Sequence, residues 1–119
     1  MKKFSLPKDG GLIEAGLPKG ILHSYERIPA QIFEDEDVAS ADLADEIIRA
    51  INGSYGTFRL GMTTGTSPVT LYRELVRRHR AGDVSFADVE IFSIDEYYPA
   101  PAPSQSRNAR LYEEFISQI

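Results

Sequence analysis

The sequence predicts an α/β domain built on a parallel sheet. A strand, a helix and a second strand succeed one another from Phe58 to Ile94, a βαβ unit of about 40 residues. A glycine- and hydroxyl-rich turn joins the first of these strands to the helix, and an amphipathic helical pattern precedes them all. Such a unit favours parallel pairing with a right-handed crossover.

At 119 residues, with 42% hydrophobic and 26% charged side chains, the chain has the composition of one globular domain or part of one. A net charge of −5 and a pI near 5.0 leave no basic field, so neither nucleic acid nor an anionic membrane surface is an expected partner. Cysteine is absent, which excludes disulfides, zinc–thiolate sites and thiol nucleophiles and suits a reducing cytoplasm. Pro7, Asp9, Gly10 and Gly11 come soon after Met1, Lys2 and Lys3, so no apolar signal segment forms, and no run is long enough to cross a bilayer.

Residues 1–29 carry Pro7, Pro18 and Pro29 among Gly10, Gly11, Gly16 and Gly20, which predicts an irregular N-terminal extension. The organised part runs over 30–119 and opens on a short apolar piece at Ile32 and Phe33. Asp35 then stands as N-cap before an acidic first turn. Val38, Ala41, Ala44, Ile47, Ile48 and Ile51 recur at helical spacing until Asn52-Gly53 stops them. Phe58 to Met62 reads as a buried strand. Ser67 is expected to cap the next helix with Pro68 at its first position; Val69, Tyr72, Leu75, Val76 and His79 fill one face, and Gly82 closes it. Arg77, Arg78 and Arg80 near that end complement the helix dipole. Val89 to Ile94 is the second strand, Pro99, Pro101 and Pro103 impose a loop, and Leu111, Phe115 and Ile119 suggest a last short helix. Two such strands are too few for a parallel sheet covered on both faces, so the chain is expected to be part of a larger domain and to bury its open sheet in a homo-oligomer.

Two places carry chemistry. In Gly61-Met62-Thr63-Thr64-Gly65-Thr66-Ser67-Pro68, backbone N–H groups and a helix N-terminus face whatever lies above the turn, an arrangement that suits a phosphate; a tight βα turn with no ligand accounts for the same residues equally well. The glycine spacing matches neither the P-loop nor the dinucleotide fingerprint. The other place is Asp95-Glu96, at the carboxyl end of the second strand, where open α/β sheets bind ligands. Adjacent acids at a strand end are often merely solvated. Here an apolar strand leads in and Tyr97 and Tyr98 come next, surroundings that favour a working base. His23 and His79 have no metal-ligand spacing, and no metal is expected.

Taken together, the Leu60 to Pro68 turn, Tyr72, Glu74-Leu75-Val76, Gly82, Val84-Ser85-Phe86 and Phe92-Ser93-Ile94-Asp95-Glu96-Tyr97 resemble the N-terminal half of glucosamine-6-phosphate deaminases. Gln31 to Ile51 fits that family's first strand and helix, Gln105-Ser106 its Glu-Ser or Gln-Ser step, and Asp-Glu-Tyr-Tyr-Pro resembles longer deaminase-like proteins. The resemblance implies a three-layer α/β/α fold with a parallel sheet, related to ribose-5-phosphate isomerase, of which 30–119 would be the N-terminal portion. It also implies conversion of glucosamine 6-phosphate and water into fructose 6-phosphate and ammonia without an organic cofactor. Thr64, Gly65, Thr66 and Ser67 would hold the substrate phosphate, and Asp95 would be the base moving a proton between C2 and C1. In the family, ring opening relies on a later Gly-x-Asp-Gly-His motif that does not occur up to Ile119, so the 119 residues alone are expected to be inactive. Arg107 and Thr66 depart from the family's usual residues. A 6-phosphogluconolactonase, whose acidic motif resembles Asp-Glu-Arg, and a non-catalytic sugar-phosphate-binding module are the alternative readings.

Overall fold

Backbone pairing divides the strands into two small sheets. The computed structural model describes residues 20–23 and 30–119, and within them the chain forms β1 (Gly20–His23), β2 (Ala30–Phe33), α1 (Glu36–Asn52), β3 (Phe58–Met62), α2 (Val69–Arg80), β4 (Val89–Ser93) and α3 (Arg107–Glu114). β3 and β4 pair in parallel, with Phe58 opposite Val89 and Met62 opposite Ser93, as the βαβ pattern predicts. β1 and β2 make a separate antiparallel pair, with Gly20 opposite Phe33 and His23 opposite Ala30. A strand inside the segment expected to be irregular is a correction to the sequence reading. Four residues are too short for a periodic signal, and here Gly20 to His23 gain order by pairing with β2. The remaining residues of 1–29 lie outside the described ones.

Helix limits reflect local chemistry closely. The Asp35 carboxylate accepts from the Val38 amide at 2.8 Å, which fixes the start of α1, and the Gly53 amide returns to the Arg49 carbonyl at its end. Gly82, at φ 85°, closes α2 by donating to the His79 carbonyl while Asp83 donates to that of Arg78. The start of α2 differs from expectation. Ser67 makes no capping bond; Pro68 occupies the cap position in a helical conformation and its carbonyl receives the Tyr72 amide at 3.0 Å. The turn after β3 takes up the residues through Ser67, so the helix begins one step later.

The three helices cover one face of the β3–β4 pair. Ala44 and Ile48 of α1, Tyr72, Leu75 and Val76 of α2, Val84 and Phe86 of the next loop, and Leu111 and Phe115 at the other end of the chain form a single core with Met62. Leu60, Val89 and Ile91 pack against it. The alternate positions Arg59, Gly61, Glu90 and Phe92 are exposed, and Arg59 and Glu90 pair across that surface at 3.0 Å. Phe92 is 53% and Ile94 68% exposed. Among the described residues the arrangement is therefore helices on one side of a parallel sheet, and the second helical layer of a three-layer fold is not among them.

The α2 cations are spent on structure. Arg78 bonds Glu74 at 3.1 Å and Asp83 at 3.1 Å and also pairs with Asp45 of α1, while Arg77 holds Glu74 at 2.6 Å. The hydrogen bond from Arg77, then that from Arg78, lowers the Glu74 pKa against the opposing effect of burial. His79 bonds the Val84 carbonyl through Nδ1 at 3.0 Å and meets Phe86 edge-on. Fully buried Phe115 stands between Tyr72, at 5.4 Å between ring centroids, and Phe86, at 5.3 Å. Phe115→Ala is expected to destabilise the chain by about 3–5 kcal/mol, enough to abolish cooperative unfolding of a small domain; urea denaturation monitored by circular dichroism checks it.

Candidate functional site at the carboxyl ends of β3 and β4

The turn after β3 is held from below. Tyr72, buried in α2, donates its hydroxyl to the Thr63 carbonyl, and burial raises the tyrosine pKa. Thr64 is 8% exposed, and Gly65 comes next at φ 140°, a conformation that side-chain-bearing residues rarely adopt. A Cβ on Gly65 would meet nothing within 4 Å, so glycine is required there by backbone shape and the space beside it is open. Thr66 and Ser67 are exposed, and the Thr66 carbonyl accepts from Val69 at 3.4 Å.

After β4, the two acids divide their work. The Glu96 carboxylate accepts from the amides of Tyr97 at 2.8 Å, Arg107 at 3.1 Å and Asn108 at 3.0 Å, and from the Ser106 hydroxyl at 2.7 Å. These bonds, that of Asn108 foremost, pull its pKa down to about 2. Ser106 caps α3 by accepting from the Ala109 amide at 3.1 Å, so Ser106 and Glu96 together satisfy the helix's first donors. Asp95 makes no comparable set of bonds. It is half-exposed, and its Oδ2 meets Arg107 Nε at 3.1 Å.

Arg107 connects the two chemical places. Its NH1 donates to the Thr64 hydroxyl at 3.1 Å and its NH2 to the Tyr97 hydroxyl at 3.3 Å, and the guanidinium lies 5.0 Å from the centre of the Tyr97 ring. One guanidinium thus touches both Asp95 and Thr64. Thr64, Tyr97 and residues 103–107 line a polar depression of about 450 Å³ together with Arg110 and Glu114. Arg110 is paired with Glu114 at 2.6 Å, whereas Glu114 Oε2 is a buried acceptor without a partner among the described residues. Ser67 lines a different cleft, of about 520 Å³, between α1, β3 and the start of α2, where Leu43, Ile47, Leu60 and Leu71 make the walls apolar. Of the five residues singled out by sequence, Thr64 and Asp95 therefore share one guanidinium and Ser67 opens elsewhere. Sequence reasoning does not reach the roles of Glu96 and Arg107; the Ser at the start of the last apolar period is the available signal for the cap. Among the described residues no three His, Asp or Glu side chains gather as metal ligands, and no helix is long and apolar enough to cross a membrane.

Comparison with known proteins bears on the fold and the family. A monomeric glucosamine-6-phosphate deaminase of the NagB superfamily has the same fold, with a TM-score of 0.65 over 71% of this chain and 35% of that one at 23% identity. The described residues are thus a portion of an α/β domain with that fold. In sequence, a glucosamine-6-phosphate isomerase of Candida albicans is 39% identical over 89 residues, 74% of this chain and 36% of the relative. A glucosamine-6-phosphate deaminase of Corynebacterium aurimucosum is 40% identical over 84 residues, 70% of this chain and 32% of the relative. A deaminase-like protein of Bacteroides thetaiotaomicron is 31% identical over 106 residues, which take in 87% of this chain and 16% of that much longer one. No family model matches. The chain belongs to the glucosamine-6-phosphate deaminase family, and it spans 16% to 36% of the length of these relatives.

The Glu96 clamp generates a prediction with a definite sign. Its folded pKa lies below that of an ordinary carboxylate, so the stability it contributes is present above about pH 4.5 and is lost as pH falls through about 2. The amides of Arg107 and Asn108 should lose hydrogen-exchange protection over that interval, and Glu96→Gln should expose them already at neutral pH.

Proposed function

We propose that the protein carrying these residues is a glucosamine-6-phosphate deaminase, converting glucosamine 6-phosphate and water into fructose 6-phosphate and ammonia. The observation that carries the reading is the contact of one guanidinium with both Asp95 and Thr64, which supports a base and a phosphate turn working on one small sugar. The names borne by the relatives support the same reaction. In this reading Thr64, Gly65, Thr66 and Ser67 receive the phosphate, with Ser67 contributing through the exposed edge of the turn. Asp95 takes the C2 proton of the opened sugar and returns it to C1. Water then hydrolyses the resulting C2 imine and ammonia leaves.

A carboxylate suits this step because the neighbouring carbonyl makes the C2 hydrogen acidic, and half-exposed Asp95 can be reached by a sugar. Glu96 is the wrong acid for the role, since four donors occupy it. A metabolic reaction on a phosphorylated sugar and a chain without cysteine support a cytoplasmic site of action. The expected measurement is ammonia release from glucosamine 6-phosphate by the protein containing these residues, lowered by about 10²- to 10⁴-fold in Asp95→Asn. Turnover unchanged by that substitution would rule Asp95 out as the base.

The assembly proposed for this chain is a homo-oligomer. It is supported by the bare face of β3 and β4, where Phe92 and Ile94 stand exposed, and by the open edges of a two-stranded sheet. Light scattering should give a mass above 13.3 kDa that rises with concentration. A stable monomer at high concentration counts against it.

A further inference from the structure

Arg107 occupies the place where an anion bound to the turn after β3 would need a cation. Its side chain is 30% exposed, so a ligand can reach it. Its backbone is fixed by the Glu96 clamp and its guanidinium by the Tyr97 ring, which leaves the planar fork aimed between Thr64 and Asp95. The contacts it makes there are weak for an arginine: a single-point ion pair with a half-exposed carboxylate and bonds to two neutral hydroxyls. A phosphate offers three oxygens in the geometry that a guanidinium grips with two parallel bonds, and outcompetes such partners. The same ion pair keeps a donor on Asp95 Oδ2.

We propose that Arg107 is the anion-binding cation of this crevice: a sugar phosphate docking on the Thr64–Ser67 turn draws the guanidinium off Asp95 and thereby frees the carboxylate. Ligand binding and activation of the base are then one event, and a neutral sugar, which cannot attract Arg107, leaves Asp95 paired. The proposal rests on the reading that the turn holds the phosphate.

Titration of the chain with inorganic phosphate, monitored by NMR, tests both parts. The Gly65 and Thr66 amides, the Arg107 Nε–H and the Asp95 carboxyl carbon are expected to shift with one apparent Kd, which Arg107→Gln raises about tenfold and Arg107→Lys raises less. Turn amides that move while the Arg107 signal stays still, or a Kd unchanged in Arg107→Gln, would overturn the proposal and leave the phosphate turn standing. A moving Arg107 with a static Asp95 would overturn the release of the base. If no turn amide responds, the phosphate turn itself is refuted and the proposal with it. The Arg107 and Asp95 signals are read in the unsubstituted chain, so the outcome does not depend on any variant folding.

Discussion

A carboxylate that accepts from the Tyr97, Arg107 and Asn108 amides and from the Ser106 hydroxyl ties the end of β4 to the start of α3. Between those points the chain runs through Pro99, Pro101 and Pro103, which supply no backbone donors of their own. Ser106 caps α3 itself, and Glu96 fixes that capped end against the end of β4. Because Arg107 is the first residue of that helix, the same clamp sets where the guanidinium stands relative to Asp95 and Thr64. A structural acid with four donors and an acid held by one ion pair thus sit side by side, and their difference lies in what bonds to each.

The core holds the other end of the same element. Leu111 and Phe115 are buried against α2 and the Val84–Phe86 loop, so α3 is pinned by packing at its carboxyl end and by Glu96 at its amino end. The turn after β3 is reached from this core through Tyr72, whose ring packs on Phe115 and whose hydroxyl supports Thr63. Phe115 therefore influences both sides of the crevice without lying in it. Loss of packing there would loosen the turn and Arg107 together.

Legible in the sequence is whatever depends on near neighbours. Asp35, the apolar period of α1 and Gly53 are a local code for one helix, and Gly82 serves α2 in the same way. β3, α2 and β4 are readable because their order and spacing imply parallel pairing. Ser67 misleads as the cap of α2, since Ser-Pro is a strong local start signal and the competing demand comes from the turn around Gly65. Strand β1 escapes a sequence reading because four residues among glycines and prolines acquire order only through a partner strand. The roles of Glu96 and Arg107 span a return of about ten residues and a contact back to Thr64, separations at which spacing carries no signal.

The exposed outer face of the parallel pair fits a chain that spans 16% to 36% of the length of the relatives compared with it. In β3 and β4 the inward positions are Phe58, Leu60, Met62, Val89, Ile91 and Ser93, and the outward ones include Phe92, with Ile94 just beyond the strand and its methyl 3.7 Å from where a Gly61 Cβ would lie. Solvated sheet faces ordinarily alternate to polar residues outside; strands buried on both faces do not. Arg59 and Glu90 satisfy the first rule and Phe92 and Ile94 the second, with the apolar pair falling toward the carboxyl end of β4, beside Asp95. A cover on that half of the face would also remove water from the neighbourhood of Asp95 and strengthen every charge interaction in the crevice. The contact between Arg107 and Asp95 would then carry more weight than it does beside open solvent, which makes an anion able to displace it the more necessary for the carboxylate to act.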